Sequence, residues 1–157
     1  MSTAFATEEV WGANFNTSGD AWRETDRLRA LLGMETRAQV ARLAIGRSLG
    51  QEESAPETPD RLGKGIRGHI LFEGRGLPLW IGILVTQLRR EHPDKDVMLA
   101  DLQDAVRRHW HRGIALLVED WQEADEDYRR FVEILARLRL RPTRHGVASI
   151  GVFGGPG

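Results

Sequence analysis

Between residues 97 and 117 the side chains Val97, Leu99, Leu102, Val106, Trp110, Ile114 and Leu117 recur almost entirely at intervals of three and four. That spacing keeps them on one face of an α-helix, whereas the alternating geometry of a strand would scatter them over both faces. A stripe this long, with an indole in it, must be covered by other helices. Asp96 is the expected N-cap, and Gly113 is the place where such a helix could break.

The rest of the chain supplies the covering helices. In AWRETDRLRALLG, from Ala21, Trp22, Leu28, Leu31 and Leu32 share a face while Arg23, Glu24, Asp26 and Arg27 point to water, and Gly33 is placed as a C-cap. TRAQVARLAIGRSLG restarts with Thr36 as N-cap and Gln39 three positions on, a capping-box spacing. Its apolar stripe is Val40, Leu43 and Ala44, and Gly50 suits its exit. The two helices form a helix–turn–helix-like hairpin. Leu77, Trp80, Ile81, Leu84 and Leu88 mark a strongly buried helix that ends before Pro93. A last helix over about 123–140 carries Tyr128, Phe131, Val132, Leu135 and Leu138 on one face. Acidic residues (Glu123, Asp125, Glu126, Asp127) stand in its first turn and basic ones (Arg137, Arg139, Arg141) in its last, matching the helix dipole, before Pro142 stops it. Residues 50–62 are acidic and proline-interrupted, a surface loop, and Ile70–Phe72 suits a short strand.

These elements predict a mainly α, compact, single-domain helical protein with an N-terminal hairpin and a glycine-rich basic loop. A length of 157 residues fits one modest core, and 41% hydrophobic with 29% charged residues is ordinary for a globular chain. No run approaches the roughly 18 apolar residues of a membrane span, and MSTAFATEEV lacks a secretory pattern, so the expected location is cytoplasmic. The absence of cysteine excludes disulfides, thiolate zinc sites and iron–sulfur ligation by this chain. A net charge of −1 argues against a general DNA-coating protein. The cations are nonetheless distinctive, because only Lys64 and Lys95 are lysines and the rest are arginines. Guanidinium forks suit phosphate, and a coding bias explains the same composition.

The segment GKGIRGHILFEGRG, residues 63–76, combines five glycines with Lys64, Arg67, His69 and Arg75. A nucleotide-binding P-loop needs Ser or Thr after its lysine and a preceding strand. Here Lys64 is followed by Gly65, and a proline-containing loop comes before it. A dinucleotide fingerprint lacks its βαβ setting in the same way. What remains is a flexible cationic loop whose glycines let the backbone approach an anion, or a structural turn with solvated charges. Arg37, Arg42 and Arg47 on the capped helix are candidates to meet DNA, with a solvated helical face as the alternative.

No catalytic or metal constellation emerges. His109 and His111 stand two apart, so on a helix they diverge and cannot chelate one ion. Asp125 and Asp127 fit a charged helix start. Ser48, at a helix end, lies in no nucleophile elbow. No cofactor is expected.

Two blocks taken together carry a resemblance. LRALLGMETRAQVARLAIGRSL, then GKGIRGHILFEG, then the Trp80 helix and HRGIALL near residue 115 stand in the order and spacing of the DndE family. That family is the small subunit of the bacterial DNA sulfur-modification (phosphorothioation) system. The chain resembles it over about residues 22–118, which gives the expected organisation: an N-terminal arm at 1–20, a DndE-like helical domain at 21–118, an additional amphipathic helix at 119–141 and a flexible tail at 142–157. DndE proteins are generally shorter and use a lysine-rich DNA surface, so arginines would replace most of those lysines here.

The resemblance implies a non-catalytic accessory subunit that self-associates as a tetramer and binds duplex DNA with a preference for nicks. It would act beside a sulfurtransferase-like iron–sulfur subunit and an ATPase subunit. Lys64 and Arg67 carry over as phosphate contacts, Arg37 and Arg42 come from the helix reading, and Arg75 from the basic loop. The alternative is a protein–protein adaptor that assembles the modification complex without touching DNA, favoured by the near-neutral charge and the extra C-terminal helix. A ribbon–helix–helix or helix–turn–helix repressor ranks last, since no alternating strand precedes the first helix.

Overall fold

From Leu99 to Leu117 the periodic stripe lies on one uninterrupted helix. α6, Leu99–Glu123, runs for 25 residues, roughly 37 Å at 1.5 Å per residue. Leu102, Val106, Trp110, Ile114 and Leu117 are all buried along it. The structure, a computed structural model describing residues 3–140, arranges the other elements around this helix. They are α1 (Thr7–Gly12), β1 (Asn14–Phe15), α2 (Gly19–Leu31), α3 (Arg37–Leu49), β2 (Ile66–Arg67), the one-turn α4 (Gly68–Leu71), a 3-10 turn (Gly74–Gly76), α5 (Leu77–Glu91) and α7 (Tyr128–Leu140). α6 packs against α2, α3, α5 and α7, most extensively against α3. β1 and β2 form the one sheet among the described residues, antiparallel with Asn14 opposite Arg67 and Phe15 opposite Ile66. The protein is mainly α. No helix among the described residues is long and apolar enough to cross a membrane.

Gly113 does not break α6. A Cβ there would stand 1.7 Å from the Ala44 carbonyl oxygen, so the missing side chain is what lets α3 and α6 meet backbone to backbone. The hairpin has the expected caps. Thr36 Oγ1 accepts the Gln39 N–H, and Gln39 Oε1 accepts the Thr36 N–H in return. Gly33, at φ +65°, ends α2: its N–H reaches Ala30 O and the Met34 N–H reaches Arg29 O, a Schellman closure. Within α2, Leu31 is exposed, and Ala21, Thr25 and Leu28 make the buried face. The Thr25 hydroxyl earns its place there by accepting the Trp110 indole N–H at 2.9 Å and donating to Ala21 O.

Several expectations are corrected by tertiary pairing. Asp96 is not the N-cap of α6. Val97 is drawn into an extended bridge with Thr3, the Ala4 N–H donates to Val97 O, and the helix starts only after Met98, whose N–H is taken by Asp101. Residues 70–72 are not a strand, because the chain pairs at Ile66–Arg67 and then coils into α4. The 1–20 segment is built into the fold from residue 3 onward, with Val10 and Phe15 fully buried. The expected boundary at 118/119 falls inside α6, and Trp121, Ala124 and Phe131 belong to the same core as the rest. Of the acidic cluster, Glu123 ends α6 and Asp125, Glu126 and Asp127 lie in the turn between α6 and α7 rather than in a first helical turn, with Asp125 and Glu126 at positive φ. α7 buries Phe131 while Tyr128 and Val132 stay exposed. Arg141 and the tail 142–157 lie outside the described residues.

Gly113→Ala will force α3 and α6 apart and lower stability by about 3 kcal/mol, read as a fall of roughly 6–12 °C in melting temperature. Gly82→Ala, at a helical position open on all sides, will instead raise stability by up to about 1 kcal/mol.

Candidate nucleic-acid interface

The glycine-rich segment is folded onto the N-terminal residues. The Gly63 N–H donates to Thr17 O at 3.0 Å and the Gly68 N–H to Ala13 O at 2.9 Å. A Cβ at Gly63 would lie 2.7 Å from Thr17 O, and one at Gly68 only 1.9 Å from Val10 O. These two glycines therefore admit the close approach of the protein's own backbone. Between and beyond these anchors the cationic side chains are turned outward. Residues 61–76 hold Arg61, Lys64, Arg67 and Arg75 against one carboxylate, Glu73. The region is locally positive in a chain of net charge −1.

The candidate residues divide into two groups. Lys64 and Arg75 are exposed and make no hydrogen bond or ion pair among the described residues. Arg67 is exposed, with Nη1 donating to Gly12 O at 2.7 Å, and His69 Nδ1 donates to Trp11 O at 3.0 Å. Both thus satisfy carbonyls at the C-terminal end of α1. Arg37 is half-exposed, bound to Asp26 at 2.9 Å and lying 5.4 Å over the Trp22 ring. The Trp22 Cβ would be 3.1 Å from a Cβ at Gly63, so this stack borders the Lys64 end of the segment. Arg42 and Arg47 turn inward instead. Arg42 Nη1 donates to Leu71 O at 2.8 Å, with Glu73 at 3.7 Å, and Arg47 grips Asp120 through two bonds of 2.8 and 3.3 Å. A helix face that looks solvated by composition is here consumed by packing partners.

Sequence reasoning missed two residues of this face. Arg61 had a signal, being three residues from Lys64. Trp11 had none, since only the β1–β2 pairing and the α1 contacts bring it to a segment more than fifty residues away. It stands 49% exposed, its ring stacked on His69 at 5.3 Å between centroids and 15° between planes.

Comparison of the chain with known protein families, with curated proteins and with solved structures finds no match.

Elsewhere, several polar side chains are paired with one another. A cleft of about 210 Å³ between the end of α5 and the start of α6 includes Lys95, Asp101, Asp104 and Arg108, joined as Lys95–Asp101 and Asp104–Arg108 pairs. No group of three or more His, Asp or Glu placed to hold a metal occurs among the described residues. The two histidines of HWH diverge as their spacing requires. His111 Nδ1 meets Ser18 at 2.6 Å, and His109 Nδ1 meets Ser48 at 2.9 Å. Ser48 Oγ also accepts from Arg112 Nε at 2.8 Å. Ser48 is 0% and His109 3% exposed, so this Ser–His pair is closed to any substrate and ties α3 to α6.

Burial, reinforced by the Arg112 and Arg108 guanidinium charges, pushes the His109 pKa from 6.5 down to about 4. Above pH 6.5 the ring is neutral in both folded and unfolded chains. Between 6.5 and 4 only the unfolded chain takes up the proton, so stability falls over that window, by roughly 3 kcal/mol for this group. Urea denaturation at pH 7, 5.5 and 4 will show a shallower decline in His109→Asn than in wild type.

Proposed function

We propose that this chain is a non-catalytic DNA-binding accessory subunit of a DNA phosphorothioation complex. It contacts the backbone of intact or nicked duplex through the face built by residues 61–76. The observation that supports this most is a rigidly docked loop that leaves Lys64 and Arg75 exposed and without described partners, beside Arg67 and the Arg37–Trp22 stack. A fixed backbone spares the cost of ordering the loop when these cations meet phosphate, and such contacts place DNA without reading its sequence. The identity of the complex rests on the resemblance to DndE, as do the homo-oligomer, a tetramer in that family, and the sulfurtransferase-like and ATPase partners. Arg42 drops out of the proposed contact set, because its guanidinium is occupied by the Ile70–Glu73 backbone and carboxylate.

The adaptor reading has an observation of its own. α5 presents Leu79 (68% exposed) and Ile83 (42% exposed) one turn apart, beside Leu49 and Gly82 in a shallow groove of about 510 Å³. Exposed apolar surface of this kind suits contact with another protein, and an adaptor that assembles the complex through it needs no DNA contact of its own.

In fluorescence anisotropy across a salt titration, the double variant Lys64→Ala/Arg75→Ala will bind duplexes of any sequence more weakly. Its log–log salt slope will be smaller by about 2, with the melting temperature unchanged. Arg42→Ala will do the reverse, lowering the melting temperature. Wild-type affinity in the double variant would remove this face from the DNA contact and leave the adaptor reading.

A further inference from the structure

We propose that Trp11 is a stacking platform for an unpaired nucleobase, so that the face prefers DNA carrying a single-stranded gap; this rests on the DNA-binding reading above. The indole is unusual in its setting. Trp110 and Trp121 are buried, at 0% and 4% exposure, whereas Trp11 leaves half its surface in water. It is nonetheless held firmly. The neighbouring Val10 is fully buried, His69 lies parallel against the indole, and the His69 Nδ1–H is bonded to the Trp11 carbonyl. Gly74 closes on the far edge of the ring, where a Cβ would be 3.4 Å from Cη2. No second ring covers Trp11 among the described residues.

The surroundings suit a nucleotide. Arg67 is fastened to Gly12, the residue after Trp11, and Arg75 follows Gly74. Phosphates on either side of a stacked base would meet these cations. Every base offers a π-face, so such a platform is tolerant of sequence. In intact duplex the bases are already stacked and paired, and extracting one is costly. Where a base is unpaired that cost vanishes, and only there does the indole add to binding.

The test compares three labelled DNAs of equal length at one salt concentration by anisotropy: an intact duplex, a duplex with a three-nucleotide single-stranded gap, and the same gap with abasic nucleotides. The abasic strand keeps every phosphate and removes the bases. Wild type is expected to bind the gapped DNA about tenfold more tightly than its abasic counterpart. Trp11→Ala should erase most of that ratio, and Trp11→Phe should keep part of it. Equal wild-type binding to gapped and abasic DNA overturns the platform and leaves the backbone-binding reading standing. Equal weakening of all three DNAs by Trp11→Ala also overturns it, since the indole then only holds the loop, and so does an unchanged ratio in that variant, which would return the exposed ring to a protein partner. Absence of binding to every DNA at low salt removes both readings.

Discussion

The contact on which the rest of the molecule depends is the meeting of α3 and α6 at Gly113 and Ala44. With no Cβ between them the two backbones touch, and everything across that seam then falls within hydrogen-bonding reach. Ser48, His109 and Arg112 form one buried network, Arg112 Nη2 caps the end of α3 at Ser48 O, and Arg47 closes bidentately on Asp120. A buried ion pair is stabilising only when its geometry is good and its partners are satisfied. The close approach supplies both conditions. One methyl group at position 113 would separate the helices and strip these groups of partners they cannot replace from water.

From that seam the fold reaches outward to the cationic face. Arg108 and Arg112 on α6 hold the 50–62 loop by donating to Ala55 O and Glu53 O. Asp60 accepts the N–H groups of Gly19 and Leu62, and those bonds keep its carboxyl below the ordinary range. The loop is therefore delivered in a fixed path to Thr17, where the glycine-rich segment begins its contact with the N-terminal residues. Arginines serve two purposes in this chain. Those on α3 and α6 are largely spent on carbonyls and carboxylates within the protein, and those on the loop face water. Composition counts both kinds alike, which is why net charge says little about what the surface offers.

The helices were legible because helical periodicity is a local property. The capping box of Thr36 and Gln39 and the closure at Gly33 are complete within a few residues, and the structure keeps both. The first two errors share one cause, which is pairing with residues far away in the chain. Val97 has the spacing of α6 but is claimed by Thr3. Ile70–Phe72 has strand-like composition, yet the register with Asn14–Phe15 selects Ile66–Arg67. The acidic run before α7 suits a helix start, but the chain reverses there through Asp125 and Glu126. Of the candidate site, the gathering of Lys64, Arg67 and Arg75 in a glycine-rich loop is legible in the sequence, and that Arg75 faces out is decided by how the loop docks. The inward turn of Arg42 and Arg47 is not legible there, because their acceptors are on α4 and α6.

What the sequence determined by itself is the class of fold, the order of its five long helices and the one segment where cations gather among glycines. Each follows from spacing along the chain, and the physics of a helix acts over spans of three and four residues. Only the tertiary structure decided which arginines remain free, that Gly113 is a contact rather than a break, and that Trp11 stands beside the basic loop. Those outcomes depend on which surfaces meet, and close packing lets a single missing Cβ or a single carbonyl decide where a side chain can go.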